Sequence, residues 1–266
     1  MSKIAIIGST GLTSGDFLES EEPWKVKTAD GLVTGVRGDI GNHQLFFLSR
    51  SNGRSGIPAH RVNYRANLLA LKELGVEYIL ATAMVGSLST FIPVGTFVVL
   101  DQFLDFSKLH RTLFGSEGFA FVDMTDPYTP ELREAFISAL TEGGYPHRST
   151  GTYVMVDGPR FETRAEIEMF RRLGGDVIGM TGVSEAIMAR EAGISYGSLA
   201  VVVNMGAGLN PKPVTREECY NETVRLSDIT KHVIKRVVLN FDHVKPNSAK
   251  DAPSDYILAD PLDVLV

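Results

Sequence analysis

Ile4-Ala5-Ile6-Ile7-Gly8 is an unbroken β-favouring apolar run that stops at a glycine. Such a run marks a strand buried on both faces, and that burial arises where helices cover both sides of a sheet. Working outward, Asp30-Gly31 and Arg37-Gly38 punctuate a Gly-rich stretch, after which Gln44 to Leu48 reads as another strand. From Arg61 to Leu74 the spacing of Val62, Ala66 and Leu69 is helical, and Gly75 stands where a left-handed C-terminal cap belongs. Apolar strands are then expected at Tyr78–Ala83, Thr96–Leu100, Thr152–Val156, Val177–Met180 and Ser198–Val203.

Helices are expected between them. Leu132, Phe136, Ala139 and Leu140 form one apolar face ending at Gly143-Gly144, and a helix from Arg164 to Leu173 should turn Phe170 and Leu173 inward. A helix over Glu185–Ala192 follows. Thr215 and Glu218 make a capping box heading a long helix with the stripe Leu226, Ile229, Val233 and Val237. The alternation predicts an α/β chain: a single domain with a mixed, mainly parallel central sheet flanked by helices, over residues 1–244. Residues 245–266, rich in Pro, Ser, Asp and Ala, read as a surface tail.

Composition narrows the function. The chain of 266 residues is 44 % hydrophobic and 22 % charged, which suits a large buried core. Its net charge of −6 offers no polybasic surface for nucleic acid. A single cysteine forbids internal disulfides and Cys-rich metal sites, and the six histidines show no HxH or HExxH spacing, so no metal is expected. The N-terminal apolar run is too short for a signal peptide and no stretch approaches the ~20 apolar residues of a membrane span, so no membrane partner and a cytoplasmic location are expected.

Ligand chemistry gathers at strand ends, where α/β sheets place their crevices. Gly8-Ser9-Thr10-Gly11 offers backbone N–H groups and a hydroxyl as an anion nest, although a plain tight turn would read alike. No Gly-Lys-Ser/Thr follows, which excludes Walker A. The glycine spacing fails the dinucleotide fingerprint, and no Tyr-x-x-x-Lys pair supports a short-chain dehydrogenase. Arg50 ends a strand and could clamp an oxyanion or simply make a surface ion pair. In Val156 to Thr163 a Gly-Pro turn delivers Phe161 and Glu162 together, the first to stack on a flat ring and the second to accept from it. Glu162 could equally serve a helix dipole. Gly179-Met180-Thr181 and Val203-Asn204 end two further strands.

These segments, with Val62-Asn63-Tyr64-Arg65-Ala66-Asn67, Gly86-Ser87-Leu88 and Gly158-Pro159-Arg160-Phe161-Glu162-Thr163-Arg164-Ala165-Glu166, resemble the trimeric purine nucleoside phosphorylase and methylthioadenosine phosphorylase family over roughly residues 3 to 240. The resemblance implies the nucleoside phosphorylase fold, a homotrimer, and no cofactor beyond inorganic phosphate as co-substrate. It implies phosphate contacts at Thr10, Arg50, Ser51, the backbone at Ala83, and Thr181. Met180 would lie under the ribose and Phe161 against the purine, while Phe121 would close the site of a neighbouring subunit. Val214 would line the 5′ end. No histidine stands between His147 and His232 for a 5′-hydroxyl, which suits an apolar methylthio group.

Base choice rests on Glu162 and Asn204, the two groups placed at the chemistry. Adenine-cleaving relatives resemble one another in placing an Asp where Asn204 stands. An Asn amide donates to O6 and accepts from a protonated N7, and the Glu162 carboxylate accepts from N1–H, which only 6-oxopurines carry. The expected substrate is therefore S-methyl-5′-thioinosine, inosine or guanosine, with adenine substrates as the alternative. The family often has a histidine after the strand-end Arg, whereas here Arg50 precedes Ser51-Asn52-Gly53-Arg54. Ser51 can donate there and Arg54 can supply charge. That departure keeps a phosphate-independent nucleosidase and a non-catalytic purine-binding module in play.

Overall fold

The computed structural model describes residues 2–8, 12, 18, 20–51, 57–108, 112–115, 118–244, 249–252 and 256–258. Within them the strands are β1 (Lys3–Gly8), β2 (Glu22–Thr28), β3 (Gly31–Ile40), β4 (His43–Ser49), β5 (Tyr78–Ser87), β6 (Phe97–Val99), β7 (Gln102–Asp105), β8 (Gly118–Ala120), β9 (His147–Arg148), β10 (Thr152–Met155), β11 (Val177–Gly179), β12 (Ser195–Met205) and β13 (Tyr256–Leu258). The helices are α1 (Tyr64–Glu73), α2 (Pro130–Glu142), α3 (Arg164–Arg172), α4 (Gly182–Ala192) and α5 (Arg216–Leu239). None of these helices is long and apolar enough to cross a membrane.

One mixed sheet runs in the order β2-β3-β4-β1-β5-β11-β10-β7, with β12 on the other edge of β5, then β6 and β9. Its centre is parallel, as the opening run implies: β1 lies between β4 and β5, with Ile4 to Ile7 essentially inaccessible. Alternation along β1 sorts the core. Ala5 and Ile7 join the apolar faces of α1 and α4, while Ile4 and Ile6 join those of α2 and α5. Each fully buried Ile or Leu in these layers contributes roughly 1.5–3 kcal/mol relative to exposure. A smaller apolar cluster seats α3 through Ile167 and Phe170 on Leu88, Val154 and Ile178.

The helix ends obey local chemistry. Asn63 caps α1 by accepting from the Ala66 N–H at 3.1 Å, so Val62 lies just before the helix and not within it. Gly75, at φ +73°, is the left-handed residue expected after it. Thr215 accepts from the Glu218 N–H at the head of α5, whose Leu226, Val233 and Val237 are buried and Ile229 half-buried.

Three features add to the reading of the sequence. The stretch around Asp30-Gly31 is a hairpin of β2 and β3, joined through residues 29 and 30 and packed antiparallel on β4. Apart from Leu32, its outward positions are charged, small or proline, so no apolar run announces it. Leu173 is 53 % exposed because α3 ends at Arg172; Ile167 takes the buried position beside Phe170. In the C-terminal stretch, Tyr256–Leu258 pairs antiparallel with β8.

Candidate functional site

The site begins where a ladder is interrupted. Along one edge, β5 pairs with β1 only as far as Ala81 and with β11 only from Gly86. Between them the backbone of residues 82–85 has no strand partner on that side. Unpaired buried carbonyls are costly, and here a side chain answers: Arg50, immediately after β4, donates from Nη2 to the Thr82 carbonyl at 3.0 Å. The Thr82 hydroxyl, in the same segment, is buried without a hydrogen-bond partner.

Arg50 is itself only 6 % exposed. Its Nε and Nη2 meet the two carboxylate oxygens of Glu185 on α4 at 2.5 and 3.0 Å, a bidentate pair, and Tyr196 donates to Glu185 at 2.9 Å. Burial alone would lower the Arg50 pKa, but the charge and hydrogen bond of Glu185 more than offset it and hold the guanidinium charged. Nε and Nη2 are thereby committed, and Nη1 has no partner among the described residues. Thr181 begins α4 beside it, with its N–H donated to the Tyr153 hydroxyl at 3.1 Å; its own hydroxyl does not cap the helix.

Next to this pair lies a cavity of about 270 Å³. Arg50, Phe161, Glu162, Met180, Thr181 and Asn204 all line it, so the strand ends singled out in the sequence converge on one space. Asn204 is turned toward the cavity by a bulge. Val202 of β12 opposes Val85, and Asn204 opposes Gly86, leaving Val203 as the extra residue. The Asn204 amide packs on Gly86, where an added Cβ would approach Nδ2 to 3.0 Å. Met180 packs against Gly158, which takes φ +66° and has no room for a side chain on that face.

Glu162 does not cap the helix. Thr163 is the N-cap of α3, and Glu166 completes a reciprocal capping box while pairing with Arg160 at 2.7 and 2.8 Å. Those bonds hold Glu166 down to about 2. Glu162, one residue outside the helix, is instead half-buried in the cavity wall, and burial pushes its carboxyl above the ordinary range, with Glu166 adding to the shift.

Other predicted residues stand apart. Thr10 and Arg54 lie outside the described residues. Ser51 lines a separate cavity of about 190 Å³ that shares Arg50 with the first. Ala83 is buried within the unpaired β5 segment and does not reach the cavity lining; Val214, half-buried before α5, does not reach it either. Phe121 is 74 % exposed, beyond β8 and away from this chain's own cavity. Two larger depressions, of about 500 and 630 Å³, contain none of the predicted site residues, and a third, of about 430 Å³, shares only Glu162 with the cavity. Glu185, Gly86 and Cys219 carry parts of the site that sequence reasoning did not assign. Among the described residues, no group of three or more His, Cys, Asp or Glu side chains is arranged to hold a metal ion.

Comparison with known proteins gives a consistent picture. The family described as the phosphorylase superfamily matches residues 3–239. The chain is 43 % identical to the 6-oxopurine nucleoside phosphorylase of Pyrococcus furiosus, covering 90 % of this chain and 93 % of that protein. It is 39 % identical to a probable S-methyl-5′-thioinosine phosphorylase of Methanopyrus kandleri, covering 90 % and 92 %. Among solved structures, methylthioadenosine phosphorylase from Schistosoma mansoni in complex with adenine superposes with a TM-score of 0.89 at 28 % identity, covering 96 % of each chain.

Proposed function

The chain belongs to the phosphorylase superfamily, and from that membership we propose that it is a purine nucleoside phosphorylase acting on 6-oxopurine nucleosides, S-methyl-5′-thioinosine, inosine or guanosine. Phosphate replaces the base, giving free purine and ribose 1-phosphate or its 5-methylthio analogue. The observation that carries the base assignment is Asn204 and Glu162 in the wall of one cavity. A carboxylate there accepts from N1–H of a 6-oxopurine, whereas adenine would present a lone pair to it. An amide there donates to O6 and accepts from N7–H.

In the reaction the bond between C1′ and N9 breaks with its electron pair leaving on the base, and N7 takes up one proton from solvent, balanced by the one that hydrogen phosphate gives up on bonding to C1′. Asn204 holds that proton's partner atom and so stabilises the departing purine. The sugar becomes oxocarbenium-like, and a phosphate oxygen bonds to C1′. Arg50 presents Nη1 as the phosphate donor, with Thr10, Ser51, the Ala83 backbone and the Thr181 hydroxyl completing the oxyanion site. Met180 lies under the ribose and Phe161 against the base, both in the cavity wall. Phe121, exposed on its own chain, supports a homotrimer in which it covers a neighbour's cavity.

The test is a panel of inosine, S-methyl-5′-thioinosine and S-methyl-5′-thioadenosine, each with and without phosphate. Phosphate-dependent cleavage of the first two is expected. Preference for the adenine substrate would overturn the base assignment, and equal product without phosphate would make the protein a nucleosidase.

A further inference from the structure

Cys219, on the first turn of α5, reaches the same cavity wall as Asn204. Its Sγ lies 3.5 Å from Asn204 Oδ1, with the thiol as donor. On its other side the Asn204 amide donates from Nδ2 to the Met205 carbonyl at 3.0 Å, and Gly86 closes one face. The Met205 carbonyl can only accept, so it holds Nδ2 on its own side, and Oδ1 is left facing the thiol, whose S–H completes that orientation of an amide that could otherwise turn over. One N–H of Nδ2 and one lone pair of Oδ1 stay uncommitted. Those are the donor and acceptor that a 6-oxopurine edge requires.

We propose that Cys219 is a specificity-determining positioning residue, its thiol locking the Asn204 amide in the orientation that reads O6 and N7. The inference rests on the 6-oxopurine reading above and deepens it. Burial, helped by the negative charge of Glu218, pushes the Cys219 thiol up to about 11, so it stays protonated and remains a donor through the neutral range. Because this is the chain's only cysteine, its chemistry can be followed without interference.

The experiment measures kcat/KM for S-methyl-5′-thioinosine and S-methyl-5′-thioadenosine in the wild type, Cys219→Ser and Cys219→Val. Valine fills similar space without a donor, and the 6-oxo to 6-amino ratio should fall about fivefold, carried by the thioinosine arm. Serine keeps a donor and should hold the ratio within about twofold of wild type. An unchanged ratio in Cys219→Val, or an equal fall in Cys219→Ser, would overturn the positioning role while leaving the substrate assignment intact. A wild type that prefers the adenine substrate would overturn both. The wild-type protein supplies a reading that needs no variant to fold: hypoxanthine with phosphate should slow modification by N-ethylmaleimide at least about fivefold, seen by intact mass as a single adduct. Equal rates with and without base would overturn the placement of the thiol against the purine.

Discussion

At the scale of single residues, the base pocket depends on whether position 204 presents an amide or a carboxylate. Asn204→Asp replaces the amide donor with an acceptor, which suits a 6-amino group and opposes O6. The relative kcat/KM should move toward the adenine substrate by about tenfold or more, since leaving a buried polar group unmatched costs about 1 to 3 kcal/mol. At Arg50 the partner matters as much as the residue. Removing Glu185 would strand a buried guanidinium, so Glu185→Ala is expected to cost about 3–5 kcal/mol, visible as a large fall in thermal midpoint. Arg50→Ala should lower kcat/KM by about a hundredfold or more with a matching loss of phosphate dependence. Arg50 and Asn204 were legible in the sequence because polar residues closing apolar strands face the crevice of an α/β sheet. Glu185 was not, since a carboxylate inside a helix looks like any solvated one until its partner arrives from a strand end far away in the chain.

Between residue and fold, elements aim the side chains. The α3 capping box satisfies the helix N-terminus with Thr163 and Glu166, and Glu162 stands in the cavity wall. Thr163→Ala should cost about 1 kcal/mol of stability and raise KM for the nucleoside by loosening the Phe161–Glu162 segment, checked by thermal melting alongside kinetics. Apolar runs revealed the central strands β1, β5, β10, β11 and β12, although β5 and β12 extend beyond the stretches expected. The β2–β3 hairpin escaped because it lies toward the sheet edge, with solvent taking one face, and its Pro23 and glycines dilute the β signal. The bulge at Val203 was equally invisible, since it shows only when β12 is laid against β5.

For the molecule as a whole, pH acts on stability and activity in opposite senses through Glu162. Burial raises its folded pKa above the ordinary 4.5, so ionising it costs the native state more than the unfolded chain. Its stability contribution is complete below 4.5 and is lost as pH rises from there through the raised folded value. Glu162→Gln should therefore melt higher than wild type at neutral pH, with the gap closing below about pH 4. Activity runs the other way: the carboxylate must be ionised to accept N1–H, so kcat/KM for inosine should fall on acidification at a pH above 4.5, and the Gln variant should lose that acid limb. Sedimentation should give three copies, and Phe121→Ala should raise KM for the nucleoside without lowering the melting point of the isolated fold.

The bidentate hold of Glu185 on Arg50 has a bearing on ionic strength. The guanidinium's charge is already matched by a carboxylate in direct contact, and the chain as a whole carries a net charge of −6. An incoming phosphate dianion thus meets oriented N–H groups at Arg50 whose charge is already matched, with Arg61 the further cation lining the adjoining cavity. Added salt has little attraction to screen and some repulsion to relieve. Between about 0.05 and 0.5 M potassium chloride, KM for phosphate should stay flat or drift downward. A steep rise with salt would mean that an unmatched cation, and not the geometry at Arg50, captures the anion.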